Sequence, residues 1–131
     1  MELTKVFQED YCEISEGSNG IIYARWNGFL KPETVRKGCS VISEQVKKNN
    51  ITVHLSDHRN LKVLSKEVQE YLAKEWFPEV EKLGMTKIAA LVAPDLFAKA
   101  TVDKVNKDAH VGNLVIRTFE SEDECIKWLL S

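Results

Sequence analysis

The sequence has few residues of the kinds that cross-link a chain or hold a metal ion. Its three cysteines, Cys12, Cys39 and Cys125, are odd in number and show no Cys-x-x-Cys spacing. That pattern predicts neither a disulfide framework nor a zinc site. His54 and His58 lie on a predicted strand and the segment after it rather than on one helix face, so they form no metal-binding motif. We expect no metal, no cofactor and a reducing, cytoplasmic environment.

Long apolar runs and a strong net charge are also missing. The longest apolar run, Ile88–Ala93, is far too short to span a bilayer. The N-terminal segment, MELTKVFQED, lacks the apolar stretch of a secretory signal. A formal net charge of −2 provides no basic surface for nucleic acid. Repeats and linkers are absent, and the length of 131 residues fits one domain.

Catalytic motifs are equally scarce. The sequence contains no serine or cysteine nucleophile motif and no glycine-rich phosphate-binding loop, since Gly17–Gly20 is typical of a hairpin turn. Asp57 beside His58 suggests acid–base chemistry, which keeps a hydrolase as an unfavoured alternative. We expect a binding protein rather than an enzyme.

Hydrophobic periodicity predicts an α/β domain built on one mixed sheet. Two strands, Tyr11–Ser15 and Ile21–Trp26, flank Asn19-Gly20, whose residues tolerate positive φ, and this pattern is typical of an antiparallel hairpin. Residues 1–10 form either an edge strand or an extended arm. Strands and about four helices then alternate, which predicts parallel strands joined by crossovers. The helices are expected to begin at Pro32, Ser65, Pro94 and Ser121, and the later strands at Ile51, Lys87 and Asn113.

The stretch Ile51–Ser65, ITVHLSDHRNLKVLS, organises the predicted domain. It begins with the period-two alternation of a strand that has two different faces. It continues in Asp57, His58, Arg59 and Asn60, none of which belongs in a core. We expect these four residues to form a loop at the carboxyl end of the strand, where open α/β sheets bind ligands. Alternatively, Asp57 and Asn60 only shape a turn and Arg59 pairs with a carboxylate.

Two predicted helix N-termini are expected near this loop. The N-termini at Ser65 and at Pro94–Asp95 would favour an anion, with Arg59 as a counter-charge. In the helix after Ser65, Pro78 lies inside the apolar stripe, so we expect a kink or break near Trp76–Phe77.

Some residues have a structural and a functional interpretation. Trp26, Trp76 and Phe77 are either core residues or the walls of an apolar pocket. Gly38 weakens its helix by roughly 1 kcal/mol relative to alanine. We expect Gly38 to permit close packing of that helix against the sheet.

Short motifs occur in order along the chain: ARWNG at Ala24–Gly28, DHRNL at Asp57–Leu61, EWFP at Glu75–Pro78, APDLFA at Ala93–Ala98, and Phe119 with Trp128-Leu129. Over roughly Tyr11–Leu130 the chain resembles STAS-like (SpoIIAA-like) domains. The resemblance is to their stand-alone bacterial branch, which is also likened to CRAL-TRIO lipid-binding domains.

The resemblance implies a small sheet-and-helix module that is usually not an enzyme. Regulatory members bind protein partners and are switched by phosphorylation of a serine at the start of the helix after this strand. By position, Ser65 is the nearest match. Those members carry an Asp-Ser-Ser-Gly-type sequence there, whereas this chain has Leu64-Ser65-Lys66-Glu67. Ser65 is therefore expected to act as a plain helix cap.

The sequence leaves three functions open. The first is a binding or regulatory module that presents the strand-end loop and the adjacent helix to a protein partner or a small anionic ligand. The second is a carrier of a small apolar or amphipathic, lipid-like ligand, held among Trp76, Phe77 and Phe97. The third is the hydrolase that uses Asp57 and His58. An exposed edge at the N-terminal hairpin would also allow a homodimer.

Overall fold

The fold is built on strands β1 Leu3–Glu9, β2 Cys12–Gly17, β3 Ile21–Gly28, β4 Val53–Leu61, β5 Lys87–Leu91, β6 Ala109–Val111 and β7 Leu114–Phe119. The helical elements are α1 Pro32–Asn49, α2 Lys66–Tyr71, a π-helical segment Leu72–Trp76, α3 Phe77–Lys82 and α4 Glu122–Leu129. The computed structural model describes residues 2–62, 64–94 and 109–131. The helix predicted to start at Pro94 lies, beyond Pro94 itself, outside the described residues.

The described strands form one seven-stranded mixed sheet in the order β1-β2-β3-β4-β5-β7-β6. The first three strands are antiparallel, and β3, β4, β5 and β7 are parallel. The predicted mixed sheet, with an antiparallel hairpin followed by parallel strands, is confirmed. Residues 3–9 form the edge strand rather than an arm. Strand β6 is an addition to the predicted elements, and Gly112, with φ of 60°, suits the two-residue turn that joins it to β7.

The central strands are covered on both sides. The α1 face of the sheet consists of the residues that lie against α1, α2 and α3: Ile22, Ala24, Trp26, His54, Ser56 and Ile88. The opposite α4 face consists of the residues that pack near α4: Ile21, Tyr23, Val53, Leu55, Ala89 and Leu91. Because β4 lies between two parallel neighbours and under helices on both sides, even its polar residues His54 and Ser56 are buried.

Helix α1 begins at Pro32 and ends at Asn49, as predicted. Gly38 faces the sheet, and a Cβ placed on it would lie 2.5 Å from Cη2 of Trp26. No side chain fits in that space without moving the indole. The prediction that Gly38 permits close helix–sheet packing is confirmed.

The helix after Ser65 is interrupted by a π-helical segment near Trp76–Phe77, where Pro78 predicts a kink or break; α2, this segment and α3 together are called the broken helix, although the helical conformation continues through them. A π-helical segment separates α2 from α3, and the N–H of Phe77 donates to the carbonyl of Leu72, five residues back. Pro78 follows at once, and its ring cannot enter a regular α-helical turn over the carbonyl of Lys74. The chain therefore passes Pro78 through a wider π turn instead of a regular α-helical turn.

The four residues predicted as a loop, Asp57–Asn60, belong to strand β4, and that part of the prediction is wrong. Pairing with β3 continues through Asn27↔Asn60 and Gly28↔Leu61, after a β-bulge opposite Trp26. The bulge adds one residue to β4, so Leu61 rather than Asn60 lies on the apolar α1 face. Among the described helices, none is long and apolar enough to cross a membrane.

Candidate functional site

An apolar cavity of about 80 Å³ lies between the α1 face and helices α1–α3. Most of its lining side chains are apolar, and they come from the strands, from α1 and from the broken helix: Trp26, Leu30, Val35, Cys39, Ile42, Leu61, Leu64, Val68, Leu72, Trp76, Phe77, Ile88, Ala90 and Ile116. Trp76 is buried in the core and also lines the cavity, so both interpretations apply to it, whereas Phe77 is half-buried and lines the cavity.

Three polar side chains of β4 also line this cavity: His54, Ser56 and His58. Ser56 Oγ and His58 Nε2 share a hydrogen bond of 2.7 Å. Nδ1 of His54 lies 2.8 Å from the carbonyl oxygen of Ile22. Since a carbonyl only accepts, Nδ1 carries the proton and Nε2 of His54 is an acceptor. The cavity thus combines apolar walls with one row of hydrogen-bonding groups.

Burial controls the charge of these histidines. It lowers the pKa of His54 to about 4, although the hydrogen bond to Ile22 acts in the opposite direction. It also lowers the pKa of His58 to about 4, against the attraction of the Asp57 carboxylate. Both imidazoles are therefore neutral at pH 7.

Hydrogen bonds between helices hold the indole of Trp76 in the cavity wall. Nε1 of Trp76 donates to the carbonyl of Cys39 at 3.2 Å and to Oγ of Ser43 at 3.0 Å. The hydroxyl of Ser43 in turn donates to Oε2 of Glu79 at 2.6 Å. The π-helical segment is thus joined to α1 through a side chain that also lines the cavity.

Asp57 lies on the α4 face, away from the cavity. Its carboxylate accepts hydrogen bonds from Nε and Nη2 of Arg59 at 3.0 and 2.8 Å and from the Arg59 backbone N–H at 3.0 Å. Arg25 adds an ion pair at 3.5 Å, and Glu122 lies 3.6 Å from Arg59. Burial by itself would raise the pKa of Asp57, but the hydrogen bonds and charges of Arg59 and Arg25 outweigh it and lower that pKa. Arg59 pairs with a carboxylate, as the alternative interpretation proposed.

Three more of the predicted site residues, Asn60, Ser65 and Pro94, lie at the carboxyl end of the sheet. Asn60 is exposed and donates to Asn27 at 3.4 Å. Ser65 is exposed, and its Oγ accepts from the N–H of Val68 at 3.2 Å, which makes it the N-cap of α2. Pro94 is exposed just after β5, whose Leu91 pairs with Asp57. Asp95 and Phe97 lie outside the described residues.

Ser56 and His54 are site residues that the sequence patterns did not predict. Ser56 belongs to no motif, and His54 was considered only as a metal ligand. The available signal was the alternation of His54, Ser56 and His58 within a strand that the predicted topology places in the middle of the sheet. Polar residues in the middle of such a strand are expected to be buried, because helices cover both of its faces. In the described part of the chain, no three His, Cys, Asp or Glu side chains are grouped as a metal site.

A second cleft, of about 560 Å³, lies at the opposite, amino end of β4. It is lined mainly by the β2–β3 turn, the end of α1 and the end of α4. Two of its amide side chains already have partners, since Asn49 donates to Glu16 at 2.7 Å and Asn19 donates to Tyr23 at 3.0 Å. The cavity on the α1 face, with its buried polar row, is the better candidate site.

Comparison with known proteins bears on the fold. No protein-family model matches the chain, and no curated protein matches it. Among solved structures, the chain is similar to an uncharacterized protein of the DUF3478 family from Shewanella loihica PV-4, described as having a SpoIIAA-like fold. The TM-score is 0.58 over 98% of this chain and 92% of the other, at 16% sequence identity. This likeness concerns the fold, and it confirms the expectation from the sequence motifs: the chain has a SpoIIAA-like, or STAS-like, fold.

Proposed function

We propose that the protein is a non-enzymatic binding module that takes a small, mainly apolar ligand into the cavity on the α1 face. The observation that carries this proposal is the cavity itself, which places a few polar groups within apolar walls, as ligand sites do. It also extends toward the carboxyl ends of parallel strands, where α/β sheets bind ligands. Its volume of about 80 Å³ admits only a small molecule or one end of a larger one.

The charges at the strand ends favour this proposal over an anion site. Arg59 is hydrogen-bonded to Asp57 and lies beside Glu122, while Arg25 also pairs with Asp57. Two cations and two carboxylates balance in this network. An incoming anion would compete with Asp57 for the guanidinium of Arg59, so little net attraction is available.

The rim of the cavity suggests a route of entry. Leu61, Leu64, Leu72 and Phe77 line the cavity and are only half-buried, whereas Ile42 and Val68 are fully buried. A ligand would therefore enter between the end of β4 and the broken helix. The π-helical segment carries part of this rim, and such segments are frequent at functional sites.

Native mass spectrometry of gently purified protein tests the proposal. The wild-type chain is expected to carry a co-purifying small molecule. Ala90→Leu adds three carbon atoms to a cavity wall and should remove that ligand, whereas Ala73→Leu makes the same change at an exposed position and should retain it. A bare wild-type chain, or equal loading of both variants, would contradict the proposal.

A second candidate function is docking of a protein partner at the same end of the molecule. The observation that favours it is Phe29, which is 76% exposed in the loop after β3. Asn60 and Ser65 are also exposed at this end. A specific partner captured by the wild type should be lost with Phe29→Ser. It should be retained with Leu130→Ser, which changes an exposed apolar residue at the other end of the sheet.

A further inference from the structure

The described walls of the cavity contain no ionised side chain. The lining is apolar except for His54, Ser56 and His58. The pKa of each imidazole is lowered to about 4 by burial, so neither is charged at pH 7. A charged group entering this space would lose its hydration without meeting a counter-charge, which is unfavourable.

The polar row offers both hydrogen-bond donors and acceptors. Nε2 of His54 accepts, because Nδ1 holds its proton toward the carbonyl of Ile22. The Ser56–His58 bond has two proton arrangements. Either the Ser56 hydroxyl donates to Nε2, leaving its oxygen as an acceptor, or the Nε2–H donates to Ser56 and frees the hydroxyl hydrogen. A hydroxyl group, which both donates and accepts, suits this row.

The volume limits the size of the group that is bound. An apolar cavity of about 150 Å³ holds a benzene molecule. The cavity here, at about 80 Å³, is roughly half that size. A chain of about four non-hydrogen atoms therefore fits, and an aromatic ring does not.

We infer that the part of the ligand taken up by this cavity is a short, uncharged aliphatic group with one hydroxyl, which is hydrogen-bonded to Ser56. This inference rests on the proposed function, because it describes the ligand of the same site. It adds the charge, the length and the polar group by which the cavity selects that ligand.

Probe titrations followed by NMR test the inference at pH 7. The probes are xenon, which has no hydrogen-bonding group, and a set of three molecules with four non-hydrogen atoms each: 1-propanol, acetate and propylammonium. We expect xenon and 1-propanol to bind, and the two ions to bind at least about tenfold more weakly than 1-propanol. Ser56→Ala should weaken the binding of 1-propanol by about threefold to tenfold and leave xenon binding unchanged. Ser40→Ala, at an exposed position of α1, should change neither.

The outcomes separate the two proposals. If xenon binds but acetate or propylammonium binds as tightly as 1-propanol, or Ser56→Ala leaves 1-propanol binding unchanged, the inference is wrong while the cavity still serves as a binding site. If neither xenon nor 1-propanol binds the wild type, the proposed function fails together with the inference.

Discussion

Asp57 and His58 are adjacent in the chain, yet their side chains lie on opposite faces of the sheet. Asp57 accepts hydrogen bonds from Arg59 near α4, whereas His58 bonds Ser56 in the cavity under α1–α3. Successive strand residues point to opposite sides. An acid–base pair must be within hydrogen-bond reach, so the Asp57–His58 pair on which the hydrolase alternative depends is not formed.

Replacing Asp57 tests the charge network on the α4 face. Asp57→Asn is expected to lower the free energy of unfolding by about 1–3 kcal/mol at pH 7, because two arginines lose their shared carboxylate. Glu13→Gln, in the partly exposed Lys5–Glu13 pair, should cost less than about 1 kcal/mol. Urea unfolding measures both changes.

The pH dependence of the Asp57 effect has a definite sign. The pKa of Asp57 is lower in the folded protein, so its contribution is present above the unfolded value of about 3.9 and is lost as pH falls through the folded pKa. The gap in stability between wild type and Asp57→Asn should therefore shrink below about pH 4. A gap that is constant with pH would contradict this account.

The two histidines that line the cavity predict a loss of stability in mild acid. Their folded pKa values of about 4 lie below the unfolded value of about 6.5, so between these values only the unfolded chain binds the protons. Each histidine should lower the unfolding free energy by about 1.4 kcal/mol per pH unit as pH falls through this window.

Substitutions that keep the hydrogen bonds isolate each histidine. His54→Asn retains a donor for Ile22, and His58→Gln retains a partner for Ser56. Each substitution should therefore reduce the slope of unfolding free energy against pH by about half. His110→Gln, at an exposed position of β6, is the control variant. Urea midpoints from pH 7 to pH 4.5 give the slopes. An identical slope in all variants would contradict the prediction.

Contact between Gly38 and Trp26 predicts an unusual effect of alanine. Alanine raises helix propensity by about 1 kcal/mol, but its Cβ would lie 2.5 Å from the indole. Because Trp26 is buried, we expect overpacking to outweigh propensity and Gly38→Ala to lower stability by about 1–2 kcal/mol.

A double-mutant cycle checks that cause. With Trp26→Phe, the six-membered ring that blocks position 38 is withdrawn, so Gly38→Ala should become neutral or stabilising in that background. Ser40→Ala provides the propensity effect at an exposed site of the same helix. Equal effects of Gly38→Ala in both backgrounds would exclude the contact as the cause.

Ser65 is expected to contribute to stability as the N-cap of α2. Ser65→Ala removes the acceptor for the Val68 N–H and should lower stability by about 1 kcal/mol, whereas Ser65→Asp keeps an acceptor and should change it by less than about 0.5 kcal/mol. Thermal unfolding measures both. Loss of ligand from Ser65→Asp alone, at unchanged stability, would instead favour a phosphorylation switch.

Local patterns in the sequence predicted much of the fold. Helix α1 begins at Pro32 and ends at Asn49, and Asn19-Gly20 lies in the hairpin turn. Pro78 directly follows the π-helical segment that interrupts the second helix. These features depend on the conformations that a few adjacent residues allow, so they are visible without the rest of the chain. Strand β6 was missed because its three residues carry too little pattern of their own.

The candidate site was predicted only in part. The residues around Asp57 were placed at the correct end of the sheet, but as a loop. The continuation of β4 depends on pairing with Asn27 and Gly28, some 33 positions earlier in the chain. The composition of a segment does not show whether a distant strand will pair with its backbone.

The sequence by itself determined the order of strands and helices, the broken helix at Pro78 and the need for a small residue at position 38. The tertiary structure alone decided that His54, Ser56 and His58 line a buried cavity while Asp57 meets Arg25 on the other side. Alternation along a strand separates two faces, but what covers each face is set by packing of elements that are remote in the chain.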